Sequence, residues 1–130
     1  MNREVDCGRD EALSRTDIAE RYLSVAELSG EDEADASHNV AVGNAILAGI
    51  AASDALCCLR LGRRSRSQDH RAAVSLLGQI DSKLAQDLEK LLQLKDNAHY
   101  GDSFVNSRQL TTAIRAAQGL VEAAREATRA

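Results

Sequence analysis

A chain of 130 residues is the size of one ordinary domain, and this one carries a formal net charge of -4, no proline, two tyrosines and one phenylalanine. Net acidity excludes a surface that binds nucleic acid over its whole extent, though not a local basic patch, and so few aromatic rings exclude a platform for stacking bases. The dominant Ala, Leu, Glu, Arg, Gln and Lys favour helix throughout, around a core of aliphatic side chains and closely packed alanines.

Residues 1–12 are polar and aperiodic and read as a flexible N-terminal arm, with residues 13–130 as a single helical-bundle domain. The start of the chain lacks the apolar stretch of a signal peptide, and no membrane span is expected, so the cytoplasm is the expected location. Cys7, Cys57 and Cys58 are an odd set with an adjacent pair, which fits a reducing compartment better than a disulfide framework. A first helix is expected over 14–28, where Ile18, Tyr22 and Val25 recur at helical spacing; Gly30 follows it, then an acidic loop with Ser37 as the candidate cap. The second, over 38–61, has no polar side chain through AILAGIAA and reads as the buried central helix. Gly43 and Gly49 weaken that helix, so each is expected to admit the close approach of a neighbour.

Beyond Gly62 the basic loop RRSRSQ leads to a third helix over 69–80, and Asp81 or Ser82 caps a fourth over 82–100 that ends at Gly101. Ser107 is the expected cap of a fifth helix over 107–128, with Leu110, Ile114, Ala117 and Val121 facing inward. The sum is an all-α antiparallel bundle of about five helices, with no strand expected.

Two features carry chemistry. Leu88 and Leu92 lie on one helical stripe with Lys95 and His99, which turns two ionisable groups inward; Asp54 lies on the apolar stripe of the second helix with Leu47, Ile50, Cys58 and Leu61. Either Asp54 and Lys95 form a buried ion pair that locks the register, or they belong to a site with His99. Arginines crowd the junction of the second and third helices, and Arg63, Arg64, Arg66 and His70 are candidate phosphate contacts, with a solvated basic loop as the competing reading. No metal site and no cofactor motif are expected, because His38, His70 and His99 are far apart and no glycine-rich phosphate loop occurs.

The helix NAILAGIAASDALCCLRLG, the following QDHRAAVSLLGQI, and LEKLLQLKDNAHYGD before a last amphipathic helix resemble, in order and spacing, segments of the HEPN superfamily of small nucleotide-binding helical bundles. The resemblance covers residues 17–125. It implies a homodimer, often with a cleft at the dimer interface, and either metal-independent RNA cleavage or a partner role beside a nucleotidyltransferase. Active members carry an arginine followed four to six residues later by histidine; Arg64 and His70, or Arg63 and His70, have that spacing here. At LKDNAHY, where members more often carry the motif, Lys95 stands in place of arginine and only three residues separate it from His99, a departure that implies weakened or absent cleavage.

Two functional expectations result. In the first, a HEPN-like homodimer engages RNA or a nucleotide and is a weak or degenerate metal-independent ribonuclease, with His99 as acid or base, Lys95 on the phosphate, Asp54 as orienting carboxylate and Tyr100 hydrogen-bonding substrate. In the second, the chain is a non-catalytic interaction module, the accessory subunit of a toxin–antitoxin or nucleotidyltransferase pair, and its inward charges only fix packing.

Overall fold

A computed structural model describes residues 4–66 and 69–129 as an all-α helical bundle with a small strand pair at one edge. In chain order the elements are β1 (Glu4–Asp6), α1 (Arg9–Glu31), α2 (Asp35–Leu61), β2 (Arg63–Ser65), α3 (His70–Gly78), α4 (Ser82–Gln93), α5 (Lys95–Tyr100) and α6 (Ser107–Arg129).

Helix α2 is the hub because small apolar residues cover every side of it: Ala41, Ala45, Ala48, Ala51, Ala52 and Ala55 are all fully buried. It packs against α1 and α6, and more lightly against α3, α4 and α5. By length and composition α2 could cross a membrane, yet 72% of its most apolar stretch is buried inside the fold, as a core helix requires. The close approaches expected over its glycines are present. A Cβ on Gly49 would collide with Leu91 Cδ1 and lie 3.3 Å from Leu120 Cδ1, and one on Gly43 would lie 3.1 Å from His99 Cε1.

Four boundaries differ from the sequence expectation. Helix α2 starts at Asp35 after Ala34, so that Ser37 lies inside its first turn and donates to Asp32 rather than capping the helix. The three others differ for local reasons. Residues 4–12 are built into the fold: β1 pairs antiparallel with β2 in the register Glu4↔Ser65, Val5↔Arg64 and Asp6↔Arg63, and α1 begins at Arg9. Three-residue strands are too short for alternation to betray them. The expected single helix over 82–100 breaks at Leu94, whose N–H turns back to the Leu91 and Leu92 carbonyls before α5 begins. Asn106, not Ser107, caps α6, in a reciprocal box where Asn106 Oδ1 accepts from the Gln109 N–H at 2.8 Å and Gln109 Oε1 from the Asn106 N–H at 2.9 Å. The cap expected before the fourth helix is in place, with Asp81 accepting from the Leu84 N–H, and Asp69 caps α3 in the same way by accepting from the Ala72 N–H.

The cysteine reading is also corrected, since Cys7 and Cys58 form a disulfide. They are 51 residues apart in sequence, but the pairing of β1 on β2 returns Cys7 to the end of α2, with the two Cα atoms 5.0 Å apart. Cys57 stays a free thiol, buried as a small hydrophobe.

Candidate functional site

Side chains from α2, β2, α3, α4 and α5 converge on a cavity of about 290 Å³. Its floor is aliphatic, made by Ile46, Leu47 and Ile50 of α2 with Leu88 and Leu92 of α4. Around that floor stand Asp54, Arg64, Arg66, His70, Lys95 and His99, together with Ser53 and Ser65. The left-handed turn at Gly62, φ 74°, ends α2 and sends β2 back across the cavity, so that Arg64, Ser65 and Arg66 form one wall. Asp69 starts α3 and sets His70 at its first turn; the break at Leu94 lets α5 carry Lys95 and His99 along the opposite side.

Positive charge dominates. Among the described residues no carboxylate pairs with Arg64, Arg66 or Lys95, and the one guanidinium contact of Arg64 is a 3.2 Å hydrogen bond to the Ser65 carbonyl. Asp54 is already matched, because Arg15 Nη2 donates to its Oδ2 at 3.0 Å. Burial pushes the Asp54 carboxyl above its ordinary range, and Arg15 and Arg64 pull it part of the way back. The sequence expectation of an Asp54 to Lys95 pair is thus replaced: α1 supplies the cation, and Lys95 Nζ lies 3.4 Å from His70 Nε2. Burial first, and the Lys95 ammonium second, hold His70 below the ordinary imidazole value, while Asp69 and Asp96 oppose them. A neutral ring there accepts from the ammonium.

Buried polar atoms give a second signal. Ser65 is 8% exposed, lines the cavity, and its Oγ has no hydrogen-bond partner among the described residues; Arg15 Nε is in the same condition. Buried hydroxyls are ordinarily paired, so this orphan beside the cavity is a donor and acceptor for which the described residues supply no partner.

Of the residues singled out by sequence, Asp54, Arg64, Arg66, His70, Lys95 and His99 are brought to one cavity, and Arg63 and Tyr100 are not. Arg63 turns to the N-terminal strand, where its Nε meets Glu4 Oε1 at 2.8 Å. Tyr100 points to solvent, 77% exposed, with its ring 6.0 Å from that of His99. His99 is exposed at the rim, its ring lying over Gly43. Sequence reasoning missed Arg15, although its position three after Ala12 and four before Ala19 sets it on the buried stripe of α1. Ser65 carried no sequence signal, since the strand that holds it spans only three residues and its burial comes from distant parts of the chain. Among the described residues no group of three or more His, Cys, Asp or Glu side chains is gathered for a metal. No protein-family model matches this chain, and no curated protein is detectably similar to it.

Proposed function

We propose that the cavity is a phosphate-binding site through which this chain, a HEPN-like bundle of the cytoplasm, engages RNA or a nucleotide. The observation that carries the reading is the convergence of Arg64, Arg66 and Lys95, none with a carboxylate partner among the described residues, beside the orphan hydroxyl of Ser65. Arginine forks and an ammonium suit phosphate oxygens, the aliphatic floor accepts an apolar face of the ligand, and Asp54 offers an acceptor to a ligand hydroxyl. Weak metal-independent cleavage is within the same chemistry. With Lys95 turned from His70 Nε2 to the phosphate, that nitrogen would take the proton of a ribose 2′-hydroxyl as its oxygen attacks phosphorus, and His99 would give one to the departing 5′-oxygen, leaving a cyclic phosphate. Tyr100, out in solvent, has no part in this version.

The test is titration of a fluorescently labelled single-stranded RNA oligonucleotide and of adenosine monophosphate. Binding is expected to weaken with added salt and to fall about tenfold or more in Arg64→Ser with Arg66→Ser, and again in Lys95→Met. Undiminished binding in all three changes would remove the cavity from the function. A second reading, a non-catalytic interaction module that pairs with itself, an antitoxin or a nucleotidyltransferase, is favoured by Leu28 at 72%, Phe104 at 60% and Val40 at 50% exposed. It is chosen if no phosphate ligand binds.

A further inference from the structure

Two strands of three residues do not hold together in water on their own. Here the ladder itself, the Glu4 to Arg63 ion pair and the Cys7 to Cys58 disulfide all help to keep β1 on β2. The ion pair is partly solvated, its two side chains 42% and 36% exposed, and pairs of that kind contribute little. The Cys7 N–H adds one hydrogen bond, to the Gly62 carbonyl at 3.0 Å. The covalent bond is therefore the dominant tie. What it anchors matters, because β2 and the residue after it are the cavity wall of Arg64, Ser65 and Arg66.

We infer that the Cys7 to Cys58 disulfide is a redox latch on this cavity: oxidised, it keeps β1 on β2 and fixes the cationic wall, and its reduction frees β1 and weakens anion binding. The binding half of this inference rests on the phosphate reading given above. The reductant is a dithiol. One of its thiolates attacks Cys7 Sγ, the more accessible sulfur, since Cys7 is half-buried and Cys58 only 2% exposed. The disulfide breaks, Cys58 leaves as a thiolate and takes a proton, and the second thiol of the reductant then displaces Cys7 from the mixed disulfide. The protein gains two electrons and two protons, and the dithiol becomes a cyclic disulfide. Cys57 stays out of the exchange, because burial, with Asp54 nearby, pushes its thiol up to about 11 and keeps it protonated. Disulfides that do form in reducing compartments are commonly of this transient, sensing kind.

The experiment compares the full chain oxidised and after dithiothreitol, reading amide hydrogen exchange over residues 4–6 and 63–65 and affinity for the labelled RNA oligonucleotide. Reduction is expected to speed exchange in both strands and to weaken RNA binding by about tenfold, as loss of a preorganised wall requires. Cys7→Ser, outside every helix, should behave as the reduced protein with or without dithiothreitol, and Cys57→Ser as the wild type. Unchanged exchange on reduction would overturn the latch. Equal RNA affinity in the two redox states would overturn its control of binding. Should the oxidised protein bind no RNA at all, the phosphate reading falls and regulation of binding falls with it, while faster exchange on reduction still upholds the latch itself.

Discussion

His70 sits between opposing demands, with the Lys95 ammonium 3.4 Å from its Nε2 and the carboxylates of Asp69 and Asp96 close enough to pull the other way. The balance lowers its folded value below 6.5, so as pH falls the unfolded chain takes up the proton first. The stability this ring contributes is full above 6.5 and is lost as pH falls from there through the folded value. Melting temperatures of wild type and His70→Gln, measured from about pH 7.5 down to about pH 5, should diverge at the neutral end and converge at the acid end. Parallel curves would show that the ring is not held neutral by its neighbours. At this scale the sequence exposed the titratable residues, because a lysine and a histidine on a leucine stripe are conspicuous, but not their partners. Which cation meets Asp54 depends on how α1 lies across α2, and no local pattern encodes that.

Among the elements, α2 was the most legible, since an uninterrupted run of small apolar residues has to be buried on all sides. Its glycines are spacing devices, and they contrast with the one in α6. Replacing Gly49 by alanine gains about 1 kcal/mol of helix propensity but drives a methyl into Leu91 and Leu120, both fully buried, and overpacking costs about 1–3 kcal/mol. Gly119 is exposed, and the nearest atom to an added Cβ is Asp87 Oδ2 at an ordinary 3.5 Å. Chemical denaturation should therefore find Gly119→Ala more stable than wild type by about 0.5–1 kcal/mol and Gly49→Ala less stable. Stabilisation by both would mean that Leu91 and Leu120 yield easily and that the centre of the bundle is loosely packed. The strands and the break at Leu94 were illegible for the converse reason. Each spans so few residues that periodicity has nothing to repeat, and long-range pairing decides the conformation.

At the scale of the whole molecule Asp54 joins two regions, since on α2 it reaches back to Arg15 on α1 and faces forward into the cavity. Sequence pattern predicted that such a carboxylate needed a cation, which is a statement about energy; it could not say which helix would provide it, which is a statement about topology. The pair can be separated from the cavity by a double-mutant cycle. Arg15→Met leaves a carboxylate only 14% exposed without its partner, and Asp54→Leu leaves a guanidinium whose Nε is already unpaired, so each single change should cost about 1–3 kcal/mol near neutral pH. The double change replaces both charges with apolar groups and should be close to neutral, giving a coupling of similar size to the single losses. Acid distinguishes the two singles. Burial already raises the Asp54 carboxyl, and removing Arg15 takes away an interaction that lowers it, so the folded Arg15→Met protein binds its proton more tightly than the unfolded chain. Stability of that variant should rise as pH falls toward 3.8, the unfolded value, and the penalty should shrink, whereas Asp54→Leu has no carboxyl to neutralise and should show no such recovery. Urea midpoints of the four proteins at neutral and mildly acid pH measure both effects, and a coupling near zero would show that Arg15 and Asp54 are neighbours without being partners.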